Sequence, residues 1–143
     1  MQAKELMTGT VQCVSPETPV QEVARTMKSL DVGFLPVCEN DRLVGALTDR
    51  DIVLRVIAEG KEIKDCKARD IMTKEVFWCY EDQTADEVAD YMAEKEIRRV
   101  LILNRDKRLA GVISIGDLAK AGEERITGEV LKDIVAAPPA KAA

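Results

Sequence analysis

The chain has 143 residues, 46% hydrophobic and 33% charged, with a formal net charge of −5 and no histidine, so Ser-His-Asp, Cys-His and imidazole-metal chemistries are closed to it. The acidic balance argues against general nucleic-acid binding, which requires a clustered basic surface. No apolar run nears the roughly 20 residues that span a bilayer, and "MQAKELMTGT" lacks a signal-peptide pattern, so a soluble, cytoplasmic chain is expected. In chain order, "TVQCV" reads as a short β-run, and Thr18-Pro19 starts a helix with Gln21 as capping-box partner. Val20, Val23, Ala24, Met27 and Leu30 give that helix an apolar face. "GFLPV" and "LVGALT", parted by "ENDR", read as a hairpin that runs on into the helix beginning "TDRDIV". The polar "AEGKEIKDCK", residues 58–67, reads as a linker with Cys66 as a candidate exposed, reactive thiol.

The order then returns. "EVFWCY" is a β-run, Thr84-Ala85 starts a helix with Glu87 as capping partner, and Ala85, Val88, Ala89 and Met92 form its apolar face. "RRVLIL" and "LAGVIS" flank the turn "NRDKR". Residues 123–137 place Ile126, Val130, Leu131, Ile134 and Val135 at helical spacing, so a C-terminal helix is expected to dock on its own subunit or on a partner. The tail, residues 138–143, is expected to be disordered.

This recurrence is a tandem duplication. Ala3/Ala68, Met7/Met72, Thr8/Thr73, Val11/Val76 and Val23/Val88 match at an offset of 65; after one inserted residue near Arg105, Arg42/Arg108, Gly45/Gly111 and Asp51/Asp117 match at 66. The predicted organisation is repeat one over 1–60, a linker over 61–67 and repeat two over 68–122. Each repeat reads β-α-β-β-α, an α/β (α+β mixed) class whose first two strands are parallel and whose hairpin is antiparallel. A core of about 60 residues is marginal alone, so the repeats are expected to pack together with pseudo-two-fold symmetry.

The most pointed repeated element is "GALTDRD" against "GVISIGD", with glycine, hydroxyl and acid at i, i+3 and i+6: Gly45, Thr48, Asp51 and Gly111, Ser114, Asp117. One reading is helix capping, a hydroxyl N-cap with an acid in the first turn. Capping does not demand the glycines, whereas a ligand lying against the strand would need a close backbone approach at Gly45 and Gly111. In that second reading each Asp accepts ribose hydroxyls while Thr48 or Ser114 and the helix start face phosphate.

With the "ELMT" and "DIMT" openings, "FLPV" in the second strand, and both glycine–acid motifs, the chain resembles a tandem pair of cystathionine-β-synthase (CBS) domains, the Bateman module, over residues 3 to about 122. "TDRDIV" is similar to the small stand-alone bacterial and archaeal type. Leu101 departs from the pattern, standing where repeat one has Pro36. The resemblance implies regulatory binding of AMP, ADP, ATP or S-adenosylmethionine in the cleft between the repeats, with no catalytic residue and no metal. On the family pattern, Thr48, Arg50 and Asp51 join Thr73, Val76 and Phe77, with Arg99 as a further phosphate partner. The second pocket joins Ser114 and Asp117 to Thr8, Val11 and Gln12. Arg98 and Arg99 stand where relatives often carry a phosphate-reaching basic pair, the alternative being a solvated corner. Repeat one has Gly33 and Phe34 there, and Gly116 replaces Arg50 in repeat two, so the Asp51 side is read as the more basic one.

Cys13, Cys38, Cys66 and Cys79 contain no CxxC pair, so reduced, buried thiols are expected. A β-α-β connection permits a Cys13–Cys38 disulfide, with reduced, buried thiols as the alternative. The apolar run Ile52 to Ala58 points to a homodimer. Beside the regulatory reading stands a second, a structural or redox-responsive interaction module with vestigial pockets.

Overall fold

The computed structural model describes residues 1–9, 11–122 and 124–136, except the side chains of residues 125 and 126. The order is α1 (Ala3–Leu6), α2 (Val20–Leu30), β1 (Phe34–Glu39), β2 (Arg42–Thr48) and α3 (Asp49–Ile52), which continues as a π-helical turn over Val53–Ile57. A 3₁₀ turn (Ile63–Asp65), α4 (Ala68–Ile71), β3 (Trp78–Tyr80), α5 (Ala85–Lys95), β4 (Arg99–Leu103), β5 (Leu109–Ser114), α6 (Ile115–Lys120) and α7 (Glu124–Ala136) follow. The class is mixed α and β. The chain divides into two compact units, Gln12–Val76 and Met1–Val11 with Phe77–Ala143.

In the Gln12–Val76 unit, β1 and β2 pair antiparallel from Phe34↔Thr48 to Glu39↔Arg42, with a bulge between Val37 and Cys38. The predicted first strand is reduced to one parallel bridge, Val14↔Val37. The chain turns immediately afterwards, where the Thr18 amide donates to Ser15 O and the Thr18 hydroxyl accepts from the Ser15 amide. That use of the hydroxyl also corrects the predicted capping box: Pro19 is the N-cap of α2, and Gln21 has no capping role. The apolar face of α2 buries Val20, Val23 and Met27 against Leu35, Val37 and Leu47 of the hairpin, making the core of this unit. Its end is set by left-handed Asp31, whose amide returns to Met27 and Lys28 carbonyls. The linker is also structured. Cys66 is 6% exposed, against the expectation of an exposed thiol, because its carbonyl accepts from the Val20 amide at the start of α2 and its sulfur turns to the Glu62 carbonyl.

In the other unit, β3 lies parallel to β4 (Trp78↔Leu101) and β5 antiparallel to it, with a bulge between Ile102 and Leu103. Here the capping box forms as predicted: Thr84 Oγ1 accepts from the Glu87 amide and Glu87 Oε2 from the Thr84 amide. Val88 and Met92 of α5 meet Val100, Ile102 and Ile113 in the core, and Val130 and Ile134 of α7 complete it. The C-terminal helix therefore docks within its own unit, although Leu131 and Val135 stay exposed. The expected disorder of residues 138–143 lies outside the described residues.

The compact units exchange the openings of the sequence repeats. α1 belongs with β3–β5, where the Ala3 amide donates to Gln83 O and Thr8 bridges Val112. α4 belongs with β1–β2, where the Ala68 amide donates to Thr18 O and Thr73 bridges Ala46.

Candidate functional site

Each hairpin's last strand runs straight into a helix, and the hydroxyl–acid motif sits on that corner. Thr48 has extended backbone, and its Oγ1 accepts from the Asp51 amide at 3.1 Å; Asp51 Oδ2 accepts from the Thr48 amide at 2.9 Å. Ser114 and Asp117 repeat this at 3.2 and 2.8 Å, with the Ser114 hydroxyl donating to Asp117 Oδ2 at 3.1 Å. Both motifs thus form reciprocal capping boxes, holding the acids at the first turns of α3 and α6. All four motif side chains are partly exposed.

The glycines have a local cause. A Cβ on Gly45 would stand 2.7 Å from Met72 Sδ and 2.9 Å from Thr73 O; one on Gly111 would stand 2.6 Å from Thr8 O and 2.7 Å from Met7 Sδ. The close approach inferred from sequence is made by the chain's own backbone, the exchanged opening crossing the strand. Paired hydrogen bonds hold each crossing, Ala46 with Thr73 at 3.0 and 2.8 Å and Thr8 with Val112 at 3.0 and 3.2 Å. The glycines are therefore accounted for without a ligand.

Within the Gln12–Val76 unit the fold gathers Thr48, Asp51 and Thr73, with Arg50 exposed on α3. Arg55 joins them, a residue the sequence reading missed: its guanidinium donates to Ile71 O at 2.7 Å and Thr73 Oγ1 at 3.1 Å and lies 3.5 Å from Asp51 Oδ1. Its place four residues after Asp51 was the available signal. Val76 and Gln12 belong to the same unit.

The other unit holds Thr8, Val11, Ser114, Asp117, Phe77, Arg98 and Arg99. Arg99 stands opposite Ser114 in the β4–β5 register, and Arg98 O accepts from the Ile115 amide. The basic pair is thus next to the Ser114 corner within its own unit, so each unit carries cationic residues near its corner. Phe77 packs edge-on to Tyr91 at 6.4 Å, with Lys95 Nζ 6.0 Å from its ring. Burial raises the Tyr91 hydroxyl above its ordinary pKa.

A polar depression of 790 Å³ lies elsewhere in that unit, lined by Trp78, Tyr80, Asp82, Glu87 and Arg105 among others, and contains none of the predicted site residues. Arg105 forks Asp82 through two 2.8 Å bonds and covers the Tyr80 ring at 3.9 Å. Among the described residues there is no cluster of three metal-ligating side chains and no helix long and apolar enough to cross a membrane.

The CBS-domain family model matches residues 3–58 and 68–124. The CBS domain-containing protein YhcV of Bacillus subtilis is 37% identical over 116 residues, 81% of each chain. Solved structures with the same fold include CBSX2 in complex with AMP, at TM-score 0.71 and 22% identity over 87% of this chain and 97% of that one. Another is the CBS domain pair of MJ0100 in complex with 5′-methylthioadenosine and S-adenosyl-L-methionine, at TM-score 0.74 and 23% identity over 85% and 99%. With two family matches in tandem and a small relative matched over most of its length, the chain belongs to the CBS-domain family as a tandem pair.

Proposed function

We propose that the chain is a regulatory module that binds an adenosyl compound of the AMP, ADP, ATP or S-adenosylmethionine class and catalyses no reaction. The observation carrying this reading is the doubled strand-to-helix corner, which holds Asp51 and Asp117 at helix starts in a tandem CBS pair. The complexes of CBSX2 with AMP and of MJ0100 with S-adenosyl-L-methionine support the ligand class. Asp51 and Asp117 take the ribose hydroxyls; Thr48, Ser114, Arg50, Arg98 and Arg99 take the phosphates. Thr8, Val11 and Gln12, and Thr73, Val76 and Phe77, contact the base. Ligand changes the conformation presented to a protein target. The module works in the cytoplasm as a homodimer, and exposed Val53, Leu54 and Ile57 support the dimer face.

Thermal unfolding with AMP, ADP, ATP and S-adenosylmethionine tests the proposal. A ligand at a hundredfold its Kd should stabilise by about 2.7 kcal/mol. No shift with any of them would favour the second reading, a structural module with vestigial pockets. Its supporting observation is that both capping boxes and both glycines are already explained by intrachain contacts.

A further inference from the structure

Independently of any adenosyl ligand, Cys13 and Cys38 meet within the Gln12–Val76 unit. The Cys38 thiol donates to Cys13 Sγ at 2.9 Å. The backbone fixes this meeting: Val14 bridges Val37 in parallel, the Val14 amide donates to Pro36 O at 3.0 Å, and the Cys38 amide donates to Val14 O at 2.9 Å. Val14 and Val37 point into the core, so their neighbours Cys13 and Cys38 fall together on the opposite face, where the bulge after Val37 shifts the register. Reaching a covalent S–S length of about 2.05 Å from this contact requires roughly 0.9 Å of approach.

The two sulfurs are unequal. Cys38 is buried, whereas Cys13 is partly exposed. The hydrogen bond from Cys38 lowers the Cys13 pKa, while Cys38 is raised by donating it and by burial; the carboxylate of Asp41 raises both. Neither remaining cysteine has a thiol partner: Cys66 faces a carbonyl, and Cys79, 2% exposed, is held at about 11 chiefly by burial. Repeat two cannot copy the pair, having Trp78 at the position matching Cys13 and Leu103 or Asn104 at that matching Cys38.

We propose that Cys13 and Cys38 form a reversible two-electron redox site that exchanges with low-molecular-weight disulfides such as glutathione disulfide. Cys13 thiolate attacks one sulfur of R–S–S–R, forming a Cys13–S–S–R mixed disulfide and releasing RS⁻. Cys38, giving its proton to solvent, then attacks the Cys13 sulfur and expels the second RS⁻. The two cysteines lose two electrons and two protons; R–S–S–R gains them and leaves as two RSH. The product links the entry strand of the unit to β1 and closes the segment containing α2 into a loop.

The full chain is equilibrated in glutathione buffers of increasing oxidised fraction, quenched with acid, and alkylated after denaturation. Two of the four thiols should become protected, with Cys13 and Cys38 recovered as one linked peptide pair and restored by excess reduced glutathione. Cys38→Ser should trap glutathione on Cys13, and Cys13→Ser should leave Cys38 unmodified. Four free thiols at every ratio, a linkage involving Cys66 or Cys79, or a Cys13–glutathione adduct persisting in the wild-type chain would each overturn the proposal. The wild-type count decides the matter even if either serine variant fails to fold. Binding of AMP or S-adenosylmethionine has no bearing on it.

Discussion

Replacing Gly111 by alanine tests whether the exchanged opening, and not a ligand, dictates the glycine. The new Cβ would stand 2.6 Å from Thr8 O and 2.9 Å from Met7 Cγ, and the first of these is backbone that cannot rotate away. Relief requires the 7–9 segment to lift from β5, which weakens the paired Thr8–Val112 hydrogen bonds. Overpacking of this kind costs about 1 to 3 kcal/mol and each of the two hydrogen bonds lost about 0.5 to 1.5, so a loss of about 2 to 6 kcal/mol is expected. Gly45→Ala should cost less, because its nearest obstacle is the flexible Met72 side chain and Thr73 O stands at 2.9 Å. Gly116→Ala is the control: its Cβ meets only Ser114 Oγ at 3.5 Å, so added helix propensity should make it neutral or stabilising by up to about 1 kcal/mol. Urea unfolding without nucleotide measures all three. If Gly111→Ala is as stable as the wild type and loses only nucleotide binding, the glycine serves the ligand and the crossing argument fails.

Asp51→Ala and Asp117→Ala should weaken nucleotide binding by comparable factors, roughly 10- to 100-fold for lost charged hydrogen bonds; calorimetry returning a tenfold difference between them would restore the asymmetry inferred from sequence. Ile57, 64% exposed, should tolerate Glu in the fold yet break the dimer, so light scattering should fall from twice the 15.8 kDa chain mass to that mass; a wild-type chain already monomeric at high micromolar concentration refutes the dimer. Cys79 is held at about 11, above the ordinary 9.0, so the folded state binds its proton more tightly than the unfolded one. That stability is complete below pH 9 and is lost as pH rises toward 11, a decline of about 2 to 3 kcal/mol. Urea midpoints should therefore fall more steeply between those pH values for the wild type than for Cys79→Ala, and parallel curves would contradict the burial argument.

What could be read from sequence was whatever depended on near neighbours in the chain. Thr84 and Glu87 announced a helix start and formed it, and the apolar spacings of α2 and α5 named the buried faces except at Leu30, which ends α2 and is 44% exposed. The same rule failed at Thr18 only because Ser15 claimed its hydroxyl, a competition between two local motifs that the pattern leaves undecided. Features governed by remote contacts were not legible. Gly111 is crowded by residues from the opposite end of the chain, and Cys66 is buried under a polar linker because α2 begins beside it. Arg55 was legible, standing one helical turn after Asp51 just beyond the glycine–hydroxyl–acid pattern.

If the Asp51 corner takes a nucleotide as proposed, Arg55 sets what that binding entails. Asp51 has its Oδ2 committed to the Thr48 amide and its Oδ1 facing Arg55 at 3.5 Å, so a ribose hydroxyl approaching Oδ1 competes with the guanidinium. The ion pair is a weak opponent, being partly exposed and of the kind worth about 0 to 1 kcal/mol. The consequence is larger than that cost, because the same guanidinium holds Ile71 O and Thr73 Oγ1, the segment that crosses Gly45. On the proposed function, a nucleotide taken at Asp51 would therefore be coupled to the ordering of residues 71–73 through one side chain. At the matching position repeat two has Ala121, so its corner lacks this link. Arg55→Met should then leave nucleotide affinity within a few-fold of the wild type while removing the nucleotide dependence of amide exchange at Met72 and Thr73. A hundredfold loss of affinity would instead make Arg55 a direct phosphate ligand, and unchanged nucleotide-dependent exchange in the variant would show that the coupling runs elsewhere.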